Sequence, residues 1–134
     1  MPMTSSLAYK DLRGYLEAVD KLGQLRIVNG ADWNLELGAI TEVAARAAHP
    51  KVVLFDNIKD YPKGFRVVTN PVCSAPTTAL AFGLDPKLAG LDIIRAWKEK
   101  LGGQKPLKPI EASSGPITEN VDSGAKIDLL KFPT

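Results

Sequence analysis

Cysteine and histidine are scarce: Cys73 and His49 are the only ones in 134 residues. A lone thiol closes no disulfide within the chain, and one imidazole with one thiol falls short of a tetrahedral zinc set. A reducing compartment is the natural expectation. The chain does not open on a basic region followed by an apolar run, and nowhere do the roughly 18 consecutive apolar residues of a membrane span occur. The expectation is a cytoplasmic protein without a membrane span. An excess of one charge is missing too. Lys and Arg number 17 against 15 Asp and Glu, and a net charge of +2 is too small to imply nucleic acid as a partner.

What remains is ordinary for a folded domain. Hydrophobic residues make up 45% and charged residues 24%, which disfavours disorder and collagen-like repetition. Leu12, Tyr15, Leu16, Val19 and Leu22 fall on one stripe of a helix predicted over 6–22, with Gly23 placed to end it. Leu25 and Ile27 then alternate with Gln24 and Arg26 as in a strand. Asp32 or Asn34 is positioned to cap a second helix whose apolar face reads Leu37, Ile40, Val43, Ala44 and Ala47, ending near His49 and Pro50. Residues 52–55, Val-Val-Leu-Phe, form a run suited to a strand covered on both faces, and 65–69 provide another. Short helices are predicted over 77–82 and 86–101, the latter with Leu91, Ile94 and Trp97 on one side. Pro106, Pro109 and Pro116 then favour extended backbone, and Ile127 and Leu129 suggest a last strand within 121–132. The order predicts a small layered α/β domain, helices packed on a short mixed sheet over 1–104, followed by an extended Pro-rich connector over 105–134.

No constellation of catalytic residues emerges. His49, beside Ala47 and Ala48 at a helix end, is more simply a residue that meets the last carbonyls. Cys73 follows a strand and precedes a helix, yet no nucleophile-elbow or Cys-x-x-Cys pattern surrounds it, so packing is the simpler role. Glu36 and Glu42 lie on different helix faces, and Glu36 suits the positive end of the helix dipole. Gly102 and Gly103 follow a helix rather than precede one, which removes the phosphate-loop geometry. Lys98, Lys100, Lys105 and Lys108 read as a solvated basic face, and Trp33 and Trp97 as core or interface anchors. Catalytic, cofactor-binding and metal residues are therefore expected to be none.

Several segments, in order, resemble the N-terminal part of the UbiD family of reversible decarboxylases. They are Asp11-Leu12-Arg13-Gly14-Tyr15-Leu16, Gly23-Gln24-Leu25-Arg26-Ile27, Asp32-Trp33-Asn34-Leu35-Glu36, Val53-Leu54-Phe55-Asp56-Asn57 and Ala79-Leu80-Ala81-Phe82-Gly83-Leu84. Val121-Asp122 and the stretch Ile127 to Pro133 are similar to the family's approach to its second domain. Val72-Cys73-Ser74 departs from it, since relatives carry a glycine-containing turn there. The resemblance implies a carboxy-lyase that acts on an aromatic, heteroaromatic or α,β-unsaturated acid with prenylated FMN, Mn2+ and K+. It also implies that flavin, metal and the acid and base groups belong to a split-barrel domain downstream, with the family's Trp-His-Glu segment beyond Thr134. On this reading the segment is inactive alone, binds no cofactor, and has the remainder of a homo-oligomeric decarboxylase as its partner. The alternative is a stand-alone interaction module or small subunit that binds a separate catalytic chain.

Overall fold

Asp11 decides where the first helix begins. Its carboxylate accepts a hydrogen bond from Gly14 N at 2.9 Å, an N-cap that starts α1 at Leu12–Lys21. The computed structural model describes residues 9–133. The helix expected over 6–22 is thus shorter: Tyr9 and Lys10 lie outside it, and residues 6–8 lie outside the described part. Strand β1 (Leu25–Asn29) follows, then α2 (Glu36–Ala45), β2 (Val52–Asp56), β3 (Val67–Thr69), α3 (Ala75–Ala81) and α4 (Leu91–Gly102). The predicted order of helices and strands holds throughout this stretch.

The sheet runs β1-β2-β3, with β1 and β2 parallel and β3 antiparallel to β2. Helix α2 supplies the crossover that a parallel pair requires. β2 sits in the middle, and its alternation separates two cores. Val52 and Leu54 join Tyr15, Leu16 and Val19 of α1 and Leu80 of α3 on one face. Val53 and Phe55 join Ala31, Leu37 and Ile58 on the other, with Ile40, Ala44 and Trp33 packed beside them. Helices on both faces explain why this strand is apolar without a break.

Several expected apolar faces turn out rotated or shortened. Val43 and Ala47 are exposed, because α2 lies on the sheet through Leu37, Ile40 and Ala44 only. In α4 the buried residue is Ile93, while Leu91 and Ile94 face outward. Trp97 turns toward α3, where it stacks on Phe82 with ring centroids 4.4 Å apart. Lys100 completes this contact. Its ammonium donates to the carbonyls of Phe82 at 2.7 Å and Gly83 at 3.1 Å, satisfying the open end of α3.

The strand expected within 121–132 is not formed. Three-ten turns occupy Gly124–Lys126 and Leu129–Lys131, after another at Pro116–Thr118. Gly124 has φ 58°, and the Asp128 carboxylate accepts from Leu130 N at 3.0 Å, so side chain and backbone close local turns instead of a ladder. Residues 104–115 carry no helix or strand.

Candidate functional site

Polar side chains gather where the parallel strands β1 and β2 end, the position at which α/β sheets offer a crevice. Asn57 Nδ2 donates to Asn29 Oδ1 at 2.8 Å, tying the two strand ends together. Lys59 Nζ meets Asp32 Oδ2 at 2.7 Å. The Asp32 carboxyl is held below its ordinary value, first by the Lys59 hydrogen bond and then by the Asn34 N–H, and Lys59 is raised in return. A lysine and a carboxylate held so are both charged near neutrality, which suits structure rather than proton transfer.

The entry to α2 lies in this corner. Asp32 and Asn34 are the caps that the sequence predicts, but neither side chain caps the helix. Leu35 occupies the cap position, with φ 72° and ψ −40°. Glu36 N donates to Asn34 O at 3.0 Å, closing a three-residue γ-turn of the rare positive-φ form. Two local bonds hold the strained turn. Asp32 Oδ1 accepts from Asn34 N at 2.9 Å, and Glu36 Oε2 reaches back to Asp32 N at 2.7 Å. Glu36 therefore sits at the positive helix end as expected, while Glu42 pairs with Arg46 on an exposed face.

Tyr61 links the corner to the end of the described chain. Its ring packs edge-on to Trp33 and beside Phe65, and its hydroxyl lies 2.7 Å from Leu130 O and 3.0 Å from Phe132 O. Pro133 is buried. No sequence pattern announced this clasp: a tyrosine before Pro62 signals a loop, but not which distant carbonyls it will meet.

On the opposite side, two adjoining grooves of about 190 and 350 Å³ run between α1 and the sheet. Leu16 and Leu54 line both, together with Arg13 and Arg66. Asp11, Glu17 and Asp20 stand on the same rims and oppose the binding of a phosphate. Among the described residues, no three His, Cys, Asp or Glu side chains gather to hold a metal ion. Among the described residues, the mixed charges on these groove rims thus do not fit a flavin phosphate.

The other candidates are scattered. His49 is exposed beyond the end of α2, which stops at Ala45, so it does not meet the helix's last carbonyls at that position. Cys73 packs against the α1-side core, and burial pushes its thiol pKa up, opposite to what a nucleophile needs. Its N–H donates to the Thr77 hydroxyl, as does that of Ser74, so buried Thr77 fixes the loop before α3. Gly103 ends α4, as expected. Lys98, Lys105 and Lys108 are exposed, whereas Lys100 leaves the solvated face assigned to it.

Residues 16–97 match the family model of the 3-octaprenyl-4-hydroxybenzoate carboxy-lyase (UbiD) N-terminal domain. The chain belongs to the UbiD family. The match spans the layers from α1 into α4. Among UbiD relatives, the chain is 32% identical over 131 residues to a pyrrole-2-carboxylic acid decarboxylase of Pseudomonas aeruginosa, covering 92% of this chain and 26% of that protein. It is 29% identical over 125 residues to a phenolic acid decarboxylase of Streptomyces sp. (strain D7), again covering 92% of this chain and 26% of the relative. The vanillic acid decarboxylase of Sedimentibacter hydroxybenzoicus superposes in its open form with TM-score 0.63 at 32% identity, over 69% of this chain and 20% of that one. In the closed form the TM-score is 0.59 at 31% identity, over 70% of this chain and 20% of the other. This UbiD chain spans about a quarter of the length of the curated relatives it matches.

Proposed function

We propose that the chain is the N-terminal structural domain of a UbiD-like reversible, non-oxidative decarboxylase that uses prenylated FMN. The observation that carries the reading is the agreement of residues 16–97 with an N-terminal-domain model, in a chain spanning a quarter of decarboxylases similar along most of its length. The relatives are named for pyrrole-2-carboxylic, phenolic and vanillic acids, each with a carboxyl group on or conjugated to an aromatic or heteroaromatic system. An aromatic, heteroaromatic or α,β-unsaturated acid is accordingly the substrate class.

Residues 1–104 form the scaffold in this reading, and 105–134 lead toward the cofactor domain. Bound prenylated FMN would supply an electron sink, and on this reading the residues that would hold it lie outside this chain. Catalytic groups, Mn2+ and K+ belong to the remainder of a cytoplasmic homo-oligomer. Titration of the chain with prenylated FMN, Mn2+ and K+, followed by flavin absorbance and carbon dioxide release, tests the assignment. No saturable binding and no turnover are expected from the chain alone, and decarboxylation is expected from the full-length polypeptide. Turnover by the 134 residues with cofactor alone overturns it.

A further inference from the structure

The segment after α4 is tied at two places. Gln104 N bonds to Leu101 O where α4 ends, and Leu130 O and Phe132 O are held by the Tyr61 hydroxyl at the far corner of the sheet. Between these ties runs a strap in which large aliphatic side chains stand exposed among polar ones. Leu107, Ile110 and Ile117 are each more than 90% exposed, and Val121, Ile127 and Leu129 are exposed as well. Segments that stay solvated are poor in large aliphatic residues, and six of them exposed on one strap point to a surface that a partner covers.

We propose that the strap 104–129 is a docking arm for the catalytic remainder of the decarboxylase, with Tyr61 as the pin that sets where the arm returns to the body. This rests on the function proposed above. The length of chain outside the structure argues for that occupant: about three quarters of the pyrrole-2-carboxylic acid decarboxylase lies beyond the matched part. The residues that match omits are fewer than the strap contains, so the likeness reaches into the strap itself. Tyr61 is a positioning residue. Its ring belongs to the body through Trp33 and Phe65, and its hydroxyl alone holds the two carbonyls.

Hydrogen exchange measured by mass spectrometry, on the 134-residue chain and on the full-length decarboxylase, tests both parts. Peptides within 105–128 are expected to exchange freely in the isolated chain and slowly in the full-length enzyme. Tyr61→Phe keeps the ring. It is expected to speed exchange within 128–133 by about tenfold, the effect of one lost hydrogen bond, and to leave β2 unchanged. Equal, fast exchange of the strap in both proteins overturns the docking arm. Protection that instead grows with the concentration of the isolated chain assigns the arm to a second copy and overturns the occupant named here. An unaltered 128–133 in the variant overturns the pin. Carbon dioxide release, assayed in parallel, separates the two readings: an inactive enzyme with a protected strap sinks the decarboxylase assignment alone, and an active one with a free strap sinks the arm alone.

Discussion

Tyr15 combines apolar packing with a buried hydroxyl that donates to Pro71 O, and burial, then the neighbouring Tyr9, pushes its pKa up to about 12. The raised value means that the folded state favours the neutral phenol. Its stabilising contribution is complete below the ordinary value near 10 and is lost as pH rises from there through about 12. Alkaline titration of the fold by circular dichroism is expected to show a decline in that window, and Tyr15→Phe to flatten it. The same variant should cost about 1 kcal/mol at neutral pH through the lost hydrogen bond. Leu35 stores strain of the opposite kind. A non-glycine residue at φ 72° costs roughly 1–3 kcal/mol, and its side chain is exposed and gains little in return. Leu35→Gly is therefore expected to raise stability by about 1 kcal/mol in urea denaturation with an unchanged m-value. A loss of stability would show that the leucine packs on something in the folded chain.

Helix α4 depends on a few side chains rather than on a broad apolar face. Ile93, the Phe82–Trp97 stack and the Lys100 cap hold it against α3. Trp97→Ala is expected to cost about 2 kcal/mol and to release α4 locally, seen as faster amide exchange over 91–102 with β2 still protected. Such details mark the limit of what the sequence could reveal. Alternation in 24–28 and the unbroken run 52–55 located β1 and β2, and the i, i+3, i+4 stripe located α1, because those patterns follow directly from which face is buried. Periodicity alone placed Leu91 and Ile94 inward. The stack and the lysine cap turned the helix otherwise, since both depend on a neighbour about 15 residues away in sequence. Alternation at Ile127 and Leu129 suggested a strand, but a strand requires a partner, and the Asp128 cap offered the backbone a nearer one. Of the candidate site, the place of Glu36 at the positive end of α2 was readable from its position in the sequence. The Tyr61 clasp and the Leu35 turn were not, because both arise from distant or strained backbone geometry.

At the scale of the whole molecule, β2 belongs to both cores at once. Val52 and Leu54 face α1 and α3, while Val53 and Phe55 face α2. A shift of its register by one residue would exchange the contents of the two layers, so each layer enforces the alignment of the other. Phe55→Ala, which empties a fully buried site on the α2 side, is expected to destabilise by about 3–5 kcal/mol, a large share of the roughly 5–15 kcal/mol that holds a domain folded. The loss should be felt equally on the α1 side. Calorimetry of the chain should accordingly record a single heat-absorption peak whose van't Hoff and calorimetric enthalpies agree. The shared strand leaves the two halves no separate melting temperature, so a lesion in either one lowers the survival of both.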